Sequence, residues 1–142
     1  MKILLALDGS KRSLRSADFL VENAGWCREK PEVELVTVHL PVPKLPRMHL
    51  VVSESDIKRY YEEEGEERLA AAKKKLDAAG IPYKTRILVG AVAESIVRHA
   101  VQSRCDLIVI GSRGMTELGK ALIGSTATKV LHLSNLPVLL LK

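Results

Sequence analysis

Short strand-like runs alternate along this chain with segments of helical periodicity, and that alternation restricts the fold more than any single residue does. Ile3 to Leu7 is apolar without a break, as a strand covered on both faces requires. From Ser10 to Asn23, Leu14, Ala17, Leu20 and Val21 recur at helical spacing, and Gly25 is placed to end the helix. Val33 to Leu40 reads as a second strand. Pro41, Pro43 and Pro46 then exclude regular structure until about Val52. A long helix follows from about Ser55 to Ala79, closed by Gly80 and Pro82. Its glutamates, Glu62 to Glu67, precede its lysines, Lys73 to Lys75, the order a helix dipole favours, and the charge run reads as a solvated face.

Tyr83 to Val89 is the third strand, and Gly90 turns the chain into a helix from Ala91 to Ser103. That helix is expected to bury Ala93, Ile96, Val97, Ala100 and Val101. Leu107 to Ile110 is the fourth strand, a glycine-rich stretch runs from Gly111 to Gly124, and a last helix carries Val130, Leu131 and Leu133. Pro137 opens a final strand through Leu141. Strands separated by helices pair in parallel through right-handed crossovers, so the expected fold is α/β and doubly wound, one domain over residues 1–142. Ligands in such sheets bind beyond the carboxyl ends of strands where the winding reverses. That rule directs attention to Asp8, His39, Gly90 and Gly111.

Composition serves mainly to exclude. No apolar run approaches the ~20 residues that span a bilayer. Asp8 interrupts the apolar start and no small-residue cleavage site follows, so the expected location is the cytoplasm. The net charge is +5, but the cations are scattered among acids and only 4% of residues are aromatic. A nucleic-acid surface would show a basic stripe with stacking rings, and neither is present. Cys27 and Cys105 have no metal-ligand spacing and are expected as reduced thiols. His39, His49, His99 and His132 share no ligand spacing, so no metal site is expected.

The residues that carry chemistry follow the fourth strand: Gly111-Ser112-Arg113-Gly114, nine residues, then Gly124-Ser125-Thr126. Glycines let a backbone approach a ligand without an intervening Cβ. A loop of this kind leading into a helix presents unpaired N–H groups to a phosphate. Residues 114–121 nearly spell a different phosphate loop, but Ala121 stands where a Mg²⁺-binding hydroxyl is needed.

The Gly-x2-Gly-x9-Gly-Ser pattern after Asp106-Leu107-Ile108-Val109-Ile110 resembles the ATP-binding signature of the universal stress protein family. The likeness extends to Ile3–Ser10, to Val89-Gly90 and its following helix, and to Ala121–Ser125 and Asn135–Leu141. It implies a Rossmann-like parallel sheet of order 3-2-1-4-5 with helices on both faces. It implies ATP or AMP as ligand, with Mg²⁺ accompanying the phosphates. Leu7 and Asp8 would be among the binding residues, with Asp8 holding the ribose or adenine side, and the Val38 backbone would meet the adenine. Gly111, Gly114, Gly124, Ser125 and Thr126 would line the phosphates, with Arg113 adding charge. A homodimer through the last strand is also implied.

Each residue has a plainer reading. Asp8 suits a helix cap as well as a ligand contact, Ser125 suits an N-cap, and His39 suits a hydrogen-bonded structural histidine. No general base, carboxylate pair or Ser-His-Asp set is apparent. The expected function is therefore a nucleotide-dependent regulatory switch in the stress response. The alternatives are slow ATP hydrolysis, self-phosphorylation on Ser125 or Thr126, or a dimeric scaffold that binds no nucleotide.

Overall fold

The structure, a computed structural model, describes residues 1–43, 52–113 and 123–142. Strands β1 (Lys2–Ala6), β2 (Glu32–His39), β3 (Tyr83–Val89), β4 (Leu107–Gly111) and β5 (Val138–Leu141) form one sheet of order β3-β2-β1-β4-β5. Every pairing is parallel. Helices α1 (Lys11–Glu22) and α2 (Glu54–Ala79) cover one face, and α3 (Val92–Gln102) and α4 (Ser125–Leu133) cover the other.

Strand alternation sorts the core into two layers. Leu5, Leu35 and Val109 point toward α1 and α2, where Ala17, Leu20, Leu69 and Leu76 are buried. Leu4, Val36 and Ile108 point toward α3 and α4, against Ile96, Ala100 and Val130. A sheet dry on both faces is what the unbroken apolar run of β1 requires.

Several local expectations need correction. Helix α1 ends at Asn23, not Gly25. The Asn23 backbone N–H and its side-chain amide both donate to the Phe19 carbonyl, at 3.0 and 2.9 Å, and close the helix first. Gly25 lies within a 3₁₀ turn, Ala24–Trp26. Val101 is 57% exposed because the buried stripe of α3 runs through Ala93, Ile96 and Ala100, and Val101 lies off its edge. Leu131 and Leu133 are exposed, leaving Val130 and Ala127 as the buried residues of α4. The lysines of α2 stop short of its last turn, which holds no basic residue. Helix α2 begins with a capping box between Ser53 and Asp56 that the prolines upstream had obscured.

Both cysteines are free thiols. Cys105 is buried at the foot of β4, and burial pushes its thiol up to about 11. At about pH 8, where an ordinary thiol is partly ionised, iodoacetamide is expected to label only the half-buried Cys27 in the native protein. Both should label in denaturant. Two labels on the native chain would contradict this packing. Among the described residues, no helix is long and apolar enough to cross a membrane.

Candidate functional site

Strands β2 and β4 flank β1 on opposite sides, so the winding reverses between β1 and β4. Their chain continuations diverge there and leave a pocket of about 220 Å³ beyond the carboxyl ends. Asp8 stands on one side of it, and Gly111, Ser112 and Arg113 on the other.

The β1 side is a tight turn. The Asp8 carboxylate accepts the Ser10 N–H at 2.9 Å, and Ser10 Oγ accepts the Ser13 N–H at 3.0 Å. Ser10, not Asp8, therefore caps α1. Gly9 between them has φ +85°, a conformation that side chains make costly. A Cβ there would also lie 2.8 Å from Cγ of Arg68 on α2. The Arg68 guanidinium in turn donates to the Val38 carbonyl at 3.5 Å, so one side chain braces both Gly9 and the end of β2.

The β4 side carries the glycine and hydroxyl residues. The Gly124 N–H donates to the Ser112 carbonyl at 2.7 Å, which brings the two ends of the glycine-rich stretch together. Gly124 is the N-cap residue of α4, and among the described residues no side chain caps the helix. Ser125 is the first helical residue and not the cap. The leading amides of α4 therefore face the pocket without a side-chain acceptor, flanked by Ser125 and Thr126. A helix N-terminus so placed attracts an anion.

Between these walls the floor is apolar. Ala6, Val36 and Val38 from the sheet, Ile110 from β4, and Val92 and Ile96 from α3 line it. Leu7 also borders the pocket, but its side chain packs in the α1–α2 layer, so it presents main chain. The structure thus brings Leu7, Asp8, Val38, Gly111, Arg113, Gly124, Ser125 and Thr126 around one cavity. Gly114 lies outside the described residues. The arrangement offers an apolar slot continuous with a polar, amide-rich end, a shape suited to a flat base attached to phosphates.

Two strand-end positions singled out in the sequence do not reach the pocket. Gly90 donates its N–H to the His39 carbonyl at 2.8 Å, and Val92 takes the place at the rim. His39 faces the α2 layer, 5.3 Å from the Tyr61 ring, and burial together with the Arg68 charge pushes its pKa down. The imidazole is enclosed on the opposite face of the sheet, as a structural histidine would be. Its buried Nε2 has no hydrogen-bond partner among the described residues, so the expected hydrogen bonding is not met there.

The profile of the universal stress protein family matches residues 1–142, the whole chain. The chain belongs to the universal stress protein family. Universal stress protein MJ0531 of Methanocaldococcus jannaschii is 33% identical over 143 residues, spanning 99% of this chain and 81% of that protein. The solved structure of MJ0577, from the same organism, superposes with a TM-score of 0.79 at 31% identity, covering 99% of this chain and 94% of that one. A universal stress protein solved in complex with cAMP superposes with a TM-score of 0.66 at 25% identity, covering 100% of this chain and 96% of that one.

This universal stress protein shows its glycine-rich loop plainly in sequence. The apolar floor was not legible there. Val36, Val92, Ile96 and Ile110 are ordinary core residue types, and Ser13 and Ala127 reach the rim from helices. The one available signal was strand parity, which puts Val36 and Val38 on the same face as Ala6.

Proposed function

We propose that this universal stress protein binds an adenine nucleotide, ATP or AMP, at the β1–β4 reversal and acts as a nucleotide-dependent module of the stress response. The carrying observation is the bond from Gly124 N–H to the Ser112 carbonyl, which sets the uncapped start of α4 beside Gly111 at the mouth of an apolar slot. The adenine would enter the slot between Val38, Val92 and Ile96. The ribose would lie by Asp8, and the phosphates would meet Gly111, Gly124, Ser125, Thr126 and Arg113, with Mg²⁺ accompanying a triphosphate. The cAMP-bound relative supports an adenine nucleotide as the ligand class.

Calorimetry with ATP and with AMP is expected to give saturable heat and a raised melting temperature. Asp8→Ala should weaken binding about 10- to 100-fold, the worth of a charge-assisted hydrogen bond. No heat and no thermal shift with either nucleotide would end this reading.

The edges of the sheet support a homodimer as part of the same proposal. Edge strand β3 carries exposed Lys84 and Arg86, charges that discourage further pairing. Edge strand β5 is Val-Leu-Leu-Leu, half-buried and, among the described residues, paired only with β4. Light scattering at micromolar concentration should return twice the chain mass, and a monomer mass would refute the pairing.

A further inference from the structure

A second cleft, of about 280 Å³, lies beside the first and shares Ser112 and Arg113 with it. Its remaining walls are Arg12 and Arg15 of α1, and Leu141 and Lys142 at the end of β5. Four cationic side chains thus line one concavity that has no acidic lining residue among the described residues. The ion pairs among the described residues involve none of Arg12, Arg15 and Lys142.

The placement runs against helix electrostatics. The first turn of a helix favours carboxylates. Helices α2 and α3 obey this with Glu54, Asp56 and Glu94, whereas α1 has Lys11 and Arg12 there and no acid. Cations in that turn destabilise the empty protein slightly, and an anion held between Arg12, Arg15 and the α1 terminus would offset the effect. The same turn separates the two clefts. A Cβ on Gly111 would sit 3.7 Å from the Ser13 Cα and 4.0 Å from the Arg12 carbonyl oxygen. Ser13 lines the first pocket and Arg12 the second.

We infer that the Arg12–Arg15 cleft is an anion site for the outer phosphates of a nucleotide seated in the first pocket, and that it selects a nucleoside polyphosphate over a monophosphate. The inference rests on the adenine-nucleotide reading above. Arginines bind phosphate oxygens in bidentate fashion, and the shared Ser112–Arg113 wall leads from one cleft to the other. A monophosphate held at Gly111 and Gly124 would leave the second cleft unused.

The test compares the full-length protein with its Arg12→Ala/Arg15→Ala variant, using AMP, ATP and inorganic tripolyphosphate as separate titrants at two salt concentrations. Both arginines are exposed and Arg12 opposes the helix dipole, so the empty variant should melt no lower than the wild type. The wild type is expected to bind ATP more tightly than AMP. The variant should lose about 10- to 100-fold toward ATP and little toward AMP, with a weaker salt dependence for ATP. Arg12→Lys/Arg15→Lys should recover part of the loss. Equal wild-type affinity for the two nucleotides, or an equal loss of both in the variant, would overturn the cleft assignment and leave the adenine reading standing. A wild type that binds neither nucleotide would sink the adenine reading instead. Tripolyphosphate then decides: binding that disappears in the variant upholds the cleft, and no binding overturns it.

Discussion

Lys2→Met will lower the stability of this fold by about 3 kcal/mol at neutral pH, and most of that loss will vanish in acid. Glu34 lies within β2 with its side chain 4% exposed, at the end of the sheet opposite the pocket. Lys2 Nζ meets it at 3.0 Å, and His99 Nε2 approaches its other oxygen at 3.3 Å. Burial pushes the Glu34 carboxyl up, but the hydrogen bonds from Lys2 and His99 outweigh burial and hold it below its ordinary value. Removing one partner of a buried pair costs about 3–5 kcal/mol, and the low end applies because Lys2 remains a quarter exposed. A depressed carboxyl contributes stability that is complete above its unfolded value, near 4.3, and is lost as pH falls through the folded value. The variant lacks the Lys2 contribution, so its Glu34 carboxyl sits higher than in the wild type. The stability gap between the two should therefore close as pH falls through the carboxylate range. Urea denaturation at pH 7 and about pH 3 measures it. The Lys2→Met/Glu34→Leu double variant should regain most of the loss, since an apolar replacement of both partners leaves no unpaired charge. Equal stability of Lys2→Met and wild type at pH 7, or a gap that persists in acid, would contradict this account.

This ion cluster also marks where the sequence stops being informative. Glu34 stands between Val33 and Leu35 and looks like one polar residue in a strand. Its partners are far away in the chain, and only the β1–β2 register and the packing of α3 bring them together. The strands themselves were legible because apolar runs such as Ile3–Leu7 admit few alternatives. Their order was not contained in periodicity, and came from the resemblance carried by the glycine motif. At the site the same division holds. Gly111, Gly124 and Ser125 stand out because a strand-to-helix loop seldom needs such residues without a reason. Val36, Ile96 and Ile110 do not, because the same types fill both faces of a buried sheet. The position of His39 was recoverable by counting. Val36 and Val38 face the pocket layer, so an odd-numbered neighbour on β2 faces away from it. Arg68 left no trace at all, being one cation on a helix face rich in charge, yet it braces both Gly9 and Val38.

Gly65→Leu should destabilise the protein by about 2–3 kcal/mol and weaken nucleotide binding as well. Gly65 sits inside α2, where glycine costs about 1 kcal/mol relative to alanine. The reason for tolerating it is space. A Cβ at Gly65 would lie 2.6 to 2.7 Å from Cδ1, Cγ1 and Cγ2 of Ile87 on β3. Cγ2 moves only with χ1, which is restricted in a β-branched side chain, so relief requires the helix itself to move outward. Even Gly65→Ala should therefore lose about 1 kcal/mol net, the overpacking exceeding the propensity gain. Ile87→Ala in the same chain should restore part of it, giving a favourable coupling of about 1 kcal/mol in a double-mutant cycle. One turn further along α2 stands Arg68, whose stem packs on Gly9 and whose guanidinium reaches the Val38 carbonyl. Displacing α2 from β3 shifts that brace, and with it the Asp8 turn and the end of β2 that frame one side of the pocket. Denaturation together with ATP titration of Gly65→Ala separates the possibilities. A variant more stable than wild type would show that α2 has room to spare against the sheet. A destabilised variant with unchanged affinity would show that the brace does not depend on how closely the helix is seated.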